Sequence, residues 1–137
     1  MPGNRYDTRV TVIGDRAFVF RRFNRPDDFR ASGSGRIDWD REQVDEASVR
    51  LAFRAARCLR TQSLAVDLLQ HDGRALLAEI SYTYASWAVR DCPGHWVLRG
   101  DADSGSLTWS EGSMHPEDAI FDDFVASLSS RDVRIRA

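Results

Sequence analysis

Asp67 and Glu79 are the two residues whose types and spacing most clearly invite chemistry. They lie in VDLLQHDGRALLAEIS, residues 66–81, on either side of an Asp72-Gly73 turn signal. Acids are depleted in strands and costly to bury, so an acid pair inside an apolar hairpin needs a compensating partner. The length of the turn decides whether they meet. With a two-residue Asp72-Gly73 loop, Val66 would face Glu79 and the acids would point to opposite faces, because a one-residue slip exchanges the faces. A three-residue loop puts both on one face. Either Gly73 takes the left-handed position and Asp67 lies diagonal to Glu79, or the loop is Asp72-Gly73-Arg74 and the acids face each other directly. The apolar pattern favours the three-residue loop, which collects Leu64, Val66, Leu68, Leu76, Ala78 and Ile80 on one core face. Two carboxylates that close repel. A divalent cation such as magnesium, which takes oxygen ligands, would relieve the repulsion. So would arginines on an exposed face, and the chain has nineteen basic residues, all of them Arg.

The elements that must position this pair follow from periodicity. Residues 8–13 and 17–23 alternate around Gly14-Asp15 and predict a first hairpin. Residues 24–41 hold Pro26, Gly33, Gly35 and four Asp without periodicity, which predicts a long functional or mobile loop. Val44, Ala47, Leu51, Ala55 and Leu59 recur at helical spacing and predict an amphipathic helix over 43–60. Residues 63–70 and 74–81 form the second hairpin. Residues 82–115 are irregular and aromatic, with a short strand near 96–99. Pro116 opens a last helix to about Leu128, with Ile120, Phe124 and Leu128 on one face, and residues 129–137 are expected to fray. Two hairpins around a helix predict an α+β fold, an antiparallel sheet backed by helices, in one domain spanning residues 1–137.

The ordered set of features resembles the C-terminal half of an ATP-grasp carboxylate–amine ligase. In that family an acid on one strand is followed, about a dozen residues later on the partner strand, by Glu-X-Asn. Here the match is Val66-Asp67-Leu68-Leu69 and Glu79-Ile80-Ser81, with Ser81 in place of the Asn. Upstream, YDTRVTVIGDRAFVFRR resembles the Asp-X-Arg strand, Gly-Asp turn and Arg-ending strand of the branch that includes the ribosomal-protein glutamate ligases. Asp28-Phe29-Arg30-Ala31-Ser32 resembles that branch's Asp-Phe-Arg-Ser-Asn loop. The resemblance covers about residues 5–85. It implies Mg-ATP as cofactor, with Asp67, Glu79 and Ser81 as metal ligands. It implies Arg22 and Arg30 as groups stabilising phosphoryl or acyl-phosphate charge, and Arg9, Arg21, Ser32 and Gly33 as phosphate contacts. The implied reaction joins a small-molecule or peptide carboxylate to an amine. The half of the family domain that carries its phosphate-binding lysines has no counterpart here, and this chain contains no Lys. Alone it is therefore expected to be inactive. A second expectation is a non-catalytic half-domain that dimerises, or that pairs with a partner supplying the missing lobe.

Composition narrows the classes further. A net charge of −2 over 137 residues gives no electrostatic footprint for nucleic acid. No run approaches a membrane span and the N-terminus has no apolar signal segment, so a cytoplasmic protein is expected. Cys58 and Cys92 are too few for a disulfide framework or a zinc site. His71, His95 and His115 show no ligand spacing, and Asp101 and Asp103 lack the twelve-residue calcium pattern.

Overall fold

The β-branched alternation of the N-terminal segment folds as expected. In the computed structural model, which describes residues 4–24 and 36–135, strand β1 (Tyr6–Ile13) turns at Gly14-Asp15 into β2 (Arg16–Phe23). Ile13 pairs with Arg16 and the register runs back to Asp7 opposite Arg22. Gly14 opens this two-residue loop at φ 57°, a conformation glycine adopts without steric cost. A Cβ there would also lie 2.0 Å from an Asp123 carboxylate oxygen. The short strand β3 (Ile37–Asp38) pairs with the end of β2, and a single 3₁₀ turn (Arg41–Gln43) is capped by Asp40.

Helix α1 (Glu46–Cys58) starts at Asp45, whose carboxylate accepts from the Ser48 backbone N–H at 2.7 Å and from the Ser48 hydroxyl at 2.7 Å. Its buried face is Val49, Ala52, Phe53 and Ala56. The expected stripe is therefore rotated: Leu51 and Ala55 are half-buried at its margin, and Leu59 is exposed. The reason is size. Phe53 offers the largest apolar area on the helix, and the sheet takes the face that buries it.

The second hairpin is β4 (Ser63–His71) and β5 (Arg74–Ser81). Its turn is Asp72-Gly73, closed by His71 opposite Arg74, with both turn residues at positive φ (50° and 72°). This corrects the three-residue expectation; Asp-Gly is the sequence that a tight turn with two positive φ angles prefers. The acids nevertheless share a face. Leu68 pairs with Leu77 while Asp67 pairs with Glu79, so Ala78 is an extra residue, a β-bulge that restores the odd parity. The bulge also moves Leu77, instead of Leu76, to the side of Leu64, Val66 and Leu68. Nor is β5 a core strand. It forms one edge of the sheet, and Leu76, Leu77, Ala78 and Ile80 are exposed.

Residues 82–115, expected to be largely irregular, hold the one-turn helix α2 (Ser86–Arg90) and a third hairpin, β6 (Gly94–Arg99) with β7 (Ser106–Glu111). Helix α3 (Pro116–Ile135) continues beyond the expected end at Leu128. Among the described residues the sheet has seven antiparallel strands in the order β5-β4-β1-β2-β6-β7, with β3 beside the end of β2.

The two faces bury separate cores. On one, Val10, Val12, Val19, Leu64, Val66, Leu68 and Leu98 pack beneath α1. On the other, Ile13, Phe18 and Phe20 pack against Ala88, Val89 and Cys92 around α2, and against Ala119 of α3. This makes an α+β domain, a sheet with helices on both sides. Among the described residues no helix is long and apolar enough to cross a membrane.

Candidate functional site

Strand alternation sends Asp7 and Arg9 of β1, Arg22 of β2 and Asp67 of β4 to the α2–α3 face, beyond the end of its apolar core. There they form a ladder of alternating charge. Arg22 grips Asp7 with two hydrogen bonds, Nε to Oδ1 at 2.8 Å and Nη2 to Oδ2 at 2.6 Å. The same Nη2 lies 2.7 Å from Asp67 Oδ2. Arg9 grips Asp67 from the other side, Nε to Oδ1 at 2.6 Å and Nη2 to Oδ2 at 2.7 Å. The side chains are only 9–18% exposed, so these are paired charges largely withdrawn from water. Their fork-to-fork geometry is the one in which such pairing is strongest. Burial works against the charge on Arg22, but Asp7 and Asp67 outweigh it and hold the guanidinium above its already high value.

Glu79 is directly opposite Asp67. It is exposed on the edge strand and, among the described residues, its carboxylate has no hydrogen-bond or ion-pair partner. Ser81 is turned onto its own chain: its Oγ donates to the Thr83 carbonyl at 2.8 Å and accepts from the Thr83 N–H at 3.2 Å. Arg21 belongs to the opposite face. There it is paired with Asp38 and lies over the rings of Tyr6 and Phe23 at 4.9 and 5.5 Å. The Asp38 carboxyl is held below the usual range, first by the Asp40 N–H and then by Arg21, against the opposing effect of burial. The structure thus brings Arg9, Arg22, Asp67 and Glu79 together and separates Arg21 from them. Arg30, Ser32 and Gly33 lie outside the described residues.

This arrangement is a poor fit to magnesium. Both Asp67 oxygens already accept from arginine N–H groups, Ser81 is occupied with Thr83, and only Glu79 offers an unengaged carboxylate. Among the described residues no group of three or more His, Cys, Asp or Glu side chains is placed to hold a metal ion. A cation seated against Asp67 would also stand beside two guanidinium groups. The ladder was partly legible: counting back from the Gly14-Asp15 turn puts Asp7 opposite Arg22. The Arg9–Asp67 contact depends on β1 pairing with β4, a long-range choice that no local signal encodes.

The remaining chemical candidates resolve simply. Cys92 is 1% exposed, and burial pushes its thiol up to about 12. Its Sγ faces the carbonyls of Ala88 and Val19, so no Cys/His nucleophile pair forms with His95. Cys58 is exposed. A thiol reagent under native conditions should therefore titrate one cysteine rapidly, and a second only after unfolding; two fast thiols would contradict the buried position of Cys92. The Asp101 carboxylate accepts from the Asp103 and Ser104 N–H groups and shapes its own loop.

No protein-family model matches the chain, and no curated protein matches it.

Proposed function

We propose that this chain is a non-catalytic half-domain that pairs with a second copy of itself through the edge strand β5. The observation that carries this reading is the exposure of that edge: Leu76, Leu77 and Ile80 are 37%, 42% and 37% exposed on a strand that, among the described residues, has one side unpaired. An exposed edge with large aliphatic side chains is a template for another strand. The charges favour a second copy as the occupant. β5 begins at Arg74 and carries Glu79 near its end, so antiparallel pairing of two copies sets the basic end of each against the acidic end of the other. The ladder of Asp7, Arg22, Asp67 and Arg9 then serves to fix the register of β1, β2 and β4 behind that edge. Sedimentation velocity should show a concentration-dependent dimer, and Leu77→Lys, at an exposed position, should give a folded monomer. A monomeric wild type up to its solubility limit, or a variant that still dimerises, would overturn the reading.

A second reading is the Mg-ATP-binding portion of an ATP-grasp ligase joining a carboxylate to an amine. The observation favouring it is Glu79 directly across from Asp67, with Arg9 and Arg22 adjacent. It requires both arginines to exchange Asp67 for phosphate oxygens, and a separate lobe to complete the cleft.

A further inference from the structure

The opposite end of the same sheet face carries a cavity that neither reading uses. It is bounded by the β1–β2 turn, β6, β7 and α3, and has a volume of about 420 Å³, within the range of roughly 300–1,000 Å³ typical of small-molecule sites. Its walls differ in charge. The sheet side presents Arg16, His95, Arg99 and Ser110, and the α3 side presents Asp122 and Asp123, with Asp15 in the turn between them. Met114, Val97 and Ala126 supply the apolar lining.

His95 is the one buried residue of this lining. It is 6% exposed, its ring lies 5.0 Å from that of Phe18, and its Nδ1 has no hydrogen-bond partner among the described residues. A buried polar atom left unpaired costs free energy unless something satisfies it. Burial, and then the neighbouring Arg16, keep the imidazole below its ordinary value and hence neutral near pH 7. The charged pairs around it are loose: Arg16 to Asp122 is 3.4 Å and Arg99 to Asp15 is 3.8 Å, so each is open to exchange with a ligand.

We infer that this cavity binds a small zwitterion of the amino-acid class, its carboxylate on Arg16 and its ammonium on Asp122, with Asp123, which already accepts from Gln62 Nε2 at 2.9 Å, adding negative charge to the same wall. The charge pattern selects that class. A simple anion would meet three carboxylates and a simple cation two arginines, whereas a zwitterion lying across the cleft meets the opposite charge on each wall. The Ser110 hydroxyl remains for a hydrogen bond to the ligand, and the His95 ring forms part of the wall beside it.

The probes are L-valine, N-acetyl-L-valine and L-valinamide, titrated at millimolar concentration while the His95 ring and Ser110 amide resonances are followed by NMR. L-Valine should give saturable shifts at both positions, with each blocked form at least about tenfold weaker, the size expected for loss of one charge pair. Arg16→Gln and Asp122→Asn should each weaken L-valine about tenfold without a change in fold, since their mutual pair is partly exposed and weak. If one variant fails to fold, the other still tests the site through its own contact, Arg16→Gln through the ligand carboxylate and Asp122→Asn through the ammonium. No saturable shift with any probe, or equal responses from all three, would overturn the inference.

Discussion

Asp67→Asn should lose about 2–4 kcal/mol of stability in urea unfolding, while Glu79→Gln should stay within roughly 0.5 kcal/mol of wild type. The first change removes the one carboxylate that both Arg9 and Arg22 grip. It leaves two poorly exposed guanidinium groups facing a neutral amide, and it turns an N–H₂ toward one of them. Breaking a fully buried pair costs about 3–5 kcal/mol, and the 9–18% exposure of these side chains lowers the figure. The second change removes an exposed carboxylate that holds nothing in place. Two acids held apart only by a missing metal would behave otherwise: either amide would relieve repulsion and leave the ligand-free protein unchanged or more stable. The same variants test the ligase reading. Mg-ATP is expected to leave the melting temperature of all three proteins unmoved. A rise in the wild type that is lost in both variants would place the metal on Asp67 and Glu79.

Phe53→Ala should cost about 3–5 kcal/mol, and Phe124→Ala less than about 1 kcal/mol. Phe53 is 1% exposed, wedged between α1 and the sheet among Val49, Leu64 and Val66, where a truncated side chain leaves a cavity. Phe124 is 52% exposed on the outer side of α3. Thermal or urea unfolding of the two variants separates the cases. Comparable losses would mean that the outer side of α3 is covered in the folded protein.

This contrast marks how far the sequence could be read. The first hairpin was legible because Gly14-Asp15 fixes its register and the flanking runs alternate. In α1 the existence of a helix was legible but its inner face was not. Val44, Leu51 and Ala55 keep helical spacing, and so do Val49, Ala52 and Phe53; only the sheet beneath decides between them. The same holds for α3, where Ile120, Phe124 and Leu128 share spacing, yet of the three only Ile120 packs against the core, beside buried Ala119, while Phe124 and Leu128 are exposed. Of the third hairpin, the strand near 96–99 was legible and is β6, but β7 was not, because the DADSGS loop separates the two runs without a tight-turn signal.

The acids are the most instructive case. Their common face agrees with the register, but neither the three-residue turn nor the apolar core face expected for β5 is present. A two-residue turn plus a bulge at Ala78 achieves what a three-residue turn would have, and a bulge leaves no local signature when its neighbours are leucine and alanine. The arginine partners of Asp67 were one of the two compensations open from the start. Nineteen arginines made such pairing available without saying which would be used, because that depends on β4 lying beside β1.

Amide hydrogen exchange along β5, followed as a function of protein concentration, tests the central claim most directly. If two copies pair through this edge, the outward N–H groups of residues 74–81 should exchange fast in dilute solution. They should become protected as the dimer forms, with the amides of β1 and β2 unchanged throughout. Fast exchange of those outward groups at every concentration would contradict the account.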